Sequence, residues 1–237
     1  MRRKTQTFQS SLDRTMVKAL LFDIDGTLSD SDDEMVASIY ARMAWLNLPF
    51  KEEKIHNFVR KMVHFIQAPA NRLLAFMDHI GIDKHLARFL DHRAGKKTPI
   101  PEDFPVIPGV RPMLDALKDR YPFAVVSARN GVTVQKFLSV NKLEDYFEVV
   151  VSSQTCEKTK PFADPLLYAA DELGVPIENC LMIGDTLTDV RAALAAGAQS
   201  LSVLCGFGTE KELKKSGTHH ILESTSLLAA YLLSHDD

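Results

Sequence analysis

The chain has 237 residues, of which 46% are hydrophobic and 25% charged, and carries a formal net charge of -3 at pH 7. A chain of this length and balance can bury a core without disulfide staples, as one large domain or two small ones. The slight acidic excess excludes a global basic field for nucleic acid or an anionic membrane, and no apolar run reaches the roughly 20 residues that span a bilayer.

In chain order, MRRKTQTFQSS is polar and basic and lacks the apolar stretch of a secretory signal. Residues 1–15 are expected to form a disordered tail. VKALLF, from Val17 to Phe22, is a short apolar run ending at Asp23 and reads as a buried strand. The stretch from about Ser31 to Thr98 has helical patterns and no strand pattern, with breaks at Leu46–Pro49, Ala68–Pro69 and Gly81. KKTPIPEDFP, from Lys96 to Pro105, reads as a linker.

Beyond the linker, strand-like runs and helical patterns alternate. A helix is expected from Gly109 to Arg120, then FAVVSA (Phe123 to Ala128), a helix from Val132 to Val140, and FEVVVSS (Phe147 to Ser153). A helix from Pro165 to Leu173, CLMIG (Cys180 to Gly184), a helix from Thr188 to Ala196 and SLSVL (Ser200 to Leu204) follow. Gly174 and Gly197 stand where helix ends favour a left-handed cap. His219–His220 reads as an exposed strand start. This alternation predicts an α/β fold, a parallel sheet covered by helices on both faces and hence three layers. The expected core is 16–30 with 106–237, interrupted by an all-helical insertion with its linker at 31–105. Cys156, Cys180 and Cys205 form no close pair and read as reduced thiols of a cytoplasmic protein.

In parallel α/β sheets, ligands bind outside the carboxyl ends of the strands. The reactive side chains expected there form one set. Asp23 and Asp25 end the first strand in DIDGTLSD, Ser127 ends the Phe123 strand, and Asp185 ends the Cys180 strand in GDTLTD. Asp189 lies one helical turn further on, and Lys160 precedes Pro161 in the loop before the Pro165 helix. Carboxylates converging on one point repel one another, and a hard cation with oxygen ligands such as Mg2+ relieves that repulsion. A lysine and a hydroxyl facing the same point suit a phosphoryl group. One carboxylate can then act as a covalent nucleophile while a second exchanges protons with the leaving oxygen and with water.

DIDGT, the Ser127 strand end, Lys160–Pro161 and GDTLTD, in this order, resemble the four motifs of the haloacid dehalogenase superfamily. KPFADPLLYAADELGV, CLMIGDTLTDVRAALAAGA and GFG (Gly206 to Gly208) resemble its phosphoglycolate phosphatase branch. The resemblance implies a Rossmann-like core with a movable helical cap. It also implies an Mg2+-dependent phosphatase of a small phosphorylated metabolite, working through a phosphoaspartate. Asp23 would be nucleophile and metal ligand, and Asp25 acid/base with its backbone carbonyl on the metal. Lys160 would stabilise the charge on nucleophile and phosphate. Asp185 would bind the metal, with Asp189 supporting it. Thr27, which would brace the loop, Ser127, Ala128 and Arg129 make up the expected substrate-binding set.

Plainer readings stand beside these. Asp189 could be a surface helix residue, and Ser127 a loop hydroxyl. Lys158 competes with Lys160, and the following proline points to Lys160. Arg60, Lys61 and His64 share one face of a helical pattern, either a solvated face or a phosphate-facing patch. Two alternative functions remain: a phosphomutase of the same superfamily, or a catalytically silent binding protein on this fold. The implied partner is a small metabolite rather than nucleic acid or membrane, met by a monomer or homodimer.

Overall fold

The computed structural model describes residues 11–30 and 104–234. They belong to one compact unit drawn from both sides of 32–103. The expected helical cap, with Arg60, Lys61 and His64, and residues 1–10 lie outside the described residues.

Among the described residues six strands form one parallel sheet: β1 (Ala19–Phe22), β2 (Phe123–Val126), β3 (Val149–Val151), β4 (Cys180–Gly184), β5 (Gln199–Val203) and β6 (His220–Leu222). Their order is β3-β2-β1-β4-β5-β6, with Leu20 opposite Phe123 and Phe22 opposite Ile183. The helices are α1 (Val110–Leu117), α2 (Gly131–Val140), α3 (Asp164–Glu172), α4 (Leu187–Ala196), α5 (Glu210–Ser216) and α6 (Leu228–Leu233).

The side-chain period of a strand is two, so each strand feeds both faces of the sheet. Leu20, Phe22, Phe123, Val125, Leu181 and Ile183 enter one apolar cluster, with Val110, Met113, Leu114 and Leu117 of α1, Val134, Phe137 and Leu138 of α2, and Leu228 and Leu232 of α6. Ala19, Leu21, Ala124, Val126, Cys180 and Met182 enter the other, with Leu166, Ala169 and Ala170 of α3 and Ala192 and Ala193 of α4. Both faces of β1, β2 and β4 are buried, as the continuous apolar runs require. The three-layer α/β architecture is therefore as expected.

The chain runs outward from β1 through β2 to β3, then crosses to β4 and continues to β6 on the other side. The reversal opens a crevice between the carboxyl ends of β1 and β4, where such sheets bind ligands.

Element ends differ from the sequence expectation where pairing or packing decides them. Of the run Phe147 to Ser153 only Val149–Val151 is strand, because there it pairs with Ala124 to Val126. The core boundary also differs. Phe104 belongs with the core rather than with a linker, because its ring packs edge-on against Phe137 at 6.1 Å. The outgoing and returning chains are paired: Asp30 N donates to Pro105 O at 2.8 Å and Ile107 N to Leu28 O at 3.0 Å.

Residues 11–15 are ordered rather than part of a disordered tail. Leu12 is buried, Asp13 caps a short 3-10 turn, and Arg14 NH1 donates to Tyr231 O at 2.7 Å and to Ser234 Oγ at 2.6 Å. Cys156, Cys180 and Cys205 are all free, and Cys180 is buried in β4. Among the described residues no helix is long and apolar enough to cross a membrane.

Candidate active site

The site begins where β1 stops. Asp23 N still donates to Ile183 O at 2.9 Å, extending the β1–β4 ladder by one residue. The chain then turns tightly. The N–H groups of Thr27, Leu28 and Ser29 all reach Ile24 O, at 3.2, 2.9 and 2.8 Å. Gly26 makes this turn with φ +70, a conformation that a side chain rarely adopts. The turn leaves Asp23 inside the crevice and Asp25 at its partly exposed rim, with a side chain 32% exposed.

Across the crevice, Asp185 follows β4 and is fully buried. Its Oδ2 accepts from Phe207 N at 2.7 Å, while its Oδ1 has no hydrogen-bond partner among the described residues. The surrounding backbone leaves little room. A Cβ at Gly206 would stand 2.2 Å from Asp185 Oδ2, and one at Gly26 would stand 2.4 Å from it. Asp189, in the first turn of α4, is buried too. Its Oδ2 reaches back to Thr186 N at 3.0 Å, closing the start of the helix, and its Oδ1 faces Lys160.

Lys160 joins the two sides. Its Nζ lies 2.7 Å from Asp23 Oδ1 and 2.7 Å from Asp189 Oδ1, and its side chain is only 4% exposed. Lys158 instead places its Nζ over the Phe162 ring, 5.1 Å from the centroid, so the proline-marked lysine is the site residue. Ser127 is buried at the end of β2, where its Oγ accepts from Arg129 N at 3.1 Å. Arg129 turns its guanidinium onto Asp25, with Nε 2.8 Å from Oδ2 and an NH2 bond to Oδ1. Ala128 lies between them in the same loop. Thr27 is fully buried, its Oγ1 has no hydrogen-bond partner among the described residues, and its carbonyl accepts from Thr225 Oγ1 at 2.6 Å.

The electrostatics follow from this crowding. Burial pushes the Asp23 carboxyl up to about 7, against the pull of Lys160 and with a further push from Asp189 and Asp25. Burial likewise drives Asp185 well above the usual carboxylate range, and Asp189 and Asp23 add to it. For Lys160 burial opposes the ammonium, but Asp189 and Asp23 outweigh it and hold the group above its ordinary value. Carboxylate oxygens of Asp23, Asp185 and Asp189 lie within 4.8 Å of one another. Three carboxylates facing one ammonium leave two negative charges without partners if all are ionised. A divalent cation would supply that balance. The unpartnered Asp185 Oδ1 and the all-oxygen donor set fit Mg2+.

Asp23, Lys160, Asp185 and Asp189 therefore meet at the carboxyl ends of β1 and β4, and Arg129 reaches Asp25 from the loop after β2. Sequence reasoning missed three contributors: the Phe207 N–H that orients Asp185, Thr225 bonded to the turn after β1, and Phe104, over whose ring the Arg129 guanidinium sits at 5.5 Å. GFG was the available signal for the first. The others have none in one dimension.

Comparison with known proteins matches residues 20–203 to the haloacid dehalogenase-like hydrolase family. A phosphoglycolate phosphatase of Neisseria meningitidis is 30% identical over 200 residues, covering 81% of this chain and 82% of that one. Among solved structures, a haloacid dehalogenase family hydrolase from Deinococcus radiodurans, described with bound phosphate and sodium, superposes with TM-score 0.67 at 25% identity, covering 91% of this chain and 95% of that one. A protein described as a putative beta-phosphoglucomutase from Thermotoga maritima, 24% identical, shares the fold at TM-score 0.64, covering 91% and 98%. A match across most of the core, on a sheet whose switch point carries the buried acid–lysine cluster, means that this chain belongs to the haloacid dehalogenase-like hydrolases, as a phosphoric monoester hydrolase.

Proposed function

We propose that the chain is an Mg2+-dependent phosphatase of a small phosphorylated metabolite, phosphoglycolate or a similar phosphomonoester, acting through a phosphoaspartate. The observation that carries this reading is the Lys160 bridge from Asp23 to Asp189, beside Asp185 at the β1–β4 crevice. With Lys160 on Oδ1, Asp23 Oδ2 is the attacking oxygen. It bonds to phosphorus as the ester P–O bond breaks, and Asp25 gives the departing oxygen a proton. Water then attacks the phosphoaspartate, Asp25 takes back a proton, and the new P–O bond to Asp23 breaks. Ser127 holds a phosphoryl oxygen, and Lys160 stabilises charge on the nucleophile and the phosphoryl group. Asp23, Asp185 and Asp189, with the Asp25 backbone carbonyl, would hold Mg2+, which neutralises charge on the transferring group.

The same reading places the protein in the cytoplasm and makes 31–103 the cap that selects substrate. The paired chains at Leu28–Asp30 and Pro105–Ile107 support an insertion at that point.

The test combines metal removal, single substitutions and a substrate panel. Activity on an aryl phosphate should vanish with chelator and return with Mg2+. Asp23→Asn should abolish both turnover and the trapped phosphoenzyme. Asp25→Asn should lower turnover by about 100-fold or more. Near-wild-type turnover in Asp23→Asn sinks the reading. A panel that yields an isomerised sugar phosphate instead of inorganic phosphate points to a mutase.

A further inference from the structure

Arg129 occupies a place that a substrate-binding residue does not explain. Its Nε and NH2 engage the two oxygens of Asp25, a two-pronged ion pair. The guanidinium is itself fixed. Its Cζ lies 5.5 Å from the centre of the Phe104 ring, which is 3% exposed and packed edge-on against Phe137. The Phe104 carbonyl is pinned by Asn141 Nδ2 at 2.9 Å. The Arg129 backbone is held on both sides, its N–H on Ser127 Oγ at 3.1 Å and its carbonyl by Ser153 N at 2.9 Å.

We infer that Arg129, braced on Phe104, is a positioning residue for Asp25, fixing the rotamer of the carboxylate that exchanges protons with leaving group and water. The inference rests on the acid/base role given to Asp25 above. Asp25 needs such a device because it sits on the open rim of the crevice, whereas Asp23 and Asp185 are held by burial and close packing. A planar fork fixes both oxygens of a carboxylate at once, which a lysine ammonium does not. The gain is large, because misplacing a reacting group by about 1 Å can lower a rate 100-fold. The core unit resumes at Phe104, so the point at which the chain rejoins the core also sets the acid.

The experiment uses the full-length, Mg2+-loaded enzyme. Arg129→Ala, Arg129→Lys and Phe104→Leu are made alone, and Arg129→Ala also in the Asp25→Asn background. Each is assayed with phosphoglycolate, whose alkoxide leaves poorly, and with p-nitrophenyl phosphate, including the first-turnover burst. Arg129→Ala should lower kcat on phosphoglycolate about 10- to 100-fold with KM little changed, and should leave the nitrophenolate burst nearly intact. In the Asp25→Asn background the same change should cost nothing further. Arg129→Lys should recover part of the loss, and Phe104→Leu should show a weaker version of the same pattern.

A rise in KM with kcat intact overturns the inference and makes Arg129 a substrate ligand. Additive losses in the Asp25→Asn background overturn it in favour of a general structural role. Faster turnover in Arg129→Ala overturns it too, since the fork would then be a latch that withholds Asp25. If Asp25→Asn itself turns over like wild type, the acid/base reading fails and the inference falls with it. In the three former outcomes Asp25→Asn is still impaired.

Discussion

The two faces of the sheet are built from different materials. One is covered by large side chains, with Phe22, Phe123 and Phe147 meeting ring to ring at 5.5 to 6.2 Å and leucines of α1, α2 and α6 filling in around them. The other is covered by alanines of α3 and α4 laid over Ala19, Ala124 and a few larger residues. Large side chains bury more apolar area each than alanines, so the aromatic face is expected to carry the larger share of stability. The alanine face lets helix backbones approach the sheet closely. Those same two helices carry the site's partners: Lys160 lies in the loop leading to α3, and Asp189 lies in the first turn of α4. The expectation is that small side chains there set the depth at which the acid–lysine cluster sits. Stability thus rests largely on the aromatic face, while the alanine face supports the Lys160–Asp189 side of the site and the aromatic face reaches the site only through Phe104 beneath Arg129.

The largest expected effect tests the stability side. Phe123→Ala empties a ring site at the start of β2, far along the strand from Ser127. It should cost about 3–5 kcal/mol in urea or thermal unfolding, while the molecules still folded at low temperature keep near-normal kcat. Loss of kcat in step with stability would break the division between faces.

An intermediate effect tests the other side. Ala193 lies one turn after Asp189 on α4 and is fully buried. Ala193→Leu should cost about 1–3 kcal/mol of stability through overpacking. It should also tilt the start of α4 and raise the Mg2+ concentration needed for half-maximal activity. A stability loss with unchanged Mg2+ activation would show that the alanine face does not set the site.

The smallest effect lies at the sheet edge, outside both clusters. Burial lowers the pKa of His219, whose Nδ1 accepts from Ser200 N at 3.0 Å, a bond that only the neutral ring can make in this way. The folded state therefore takes up this proton less readily than the unfolded chain. Stability from this group is complete above the ordinary histidine value, near 6.5, and declines as pH falls below it. Urea midpoints of wild type and His219→Gln between pH 7 and 5 should show a shallower acid slope in the variant. Parallel slopes would assign the acid sensitivity elsewhere.

How much was legible follows from the kind of interaction. β4 was readable to the residue because a fully buried parallel strand is a bare apolar run with turn residues on both sides. The site residues were readable because strand ends in such sheets point to one place, so Asp23 and Asp185 could be brought together across 162 positions of chain. α5 was not readable, since EKELKKS buries only Leu213 and leaves no periodic apolar stripe. The ordered Leu12–Met16 segment was hidden for a similar reason, its anchoring resting on polar bonds to Gln199, Tyr231 and Ser234. The Arg129–Asp25 fork was invisible because composition gives neighbours along the chain and not the direction in which a guanidinium points.

The paired strands of chain at Leu28–Asp30 and Pro105–Ile107 have a further consequence, for how such a molecule can be cut and joined. Ser29 and Val106 are bridged antiparallel, so the two ends of the intervening stretch already stand in the register of a hairpin. Closing a loop costs only about 0.6 kcal/mol more for each doubling of its length. Halving or doubling the chain spliced between those ends should therefore change the stability of the core by only about that amount. A short turn in place of 31–103 would satisfy the same bridge and keep Phe104. The junction is therefore expected to act as a socket, at which 31–103 can be shortened, exchanged or lengthened while the sheet and its crevice keep their folding instructions.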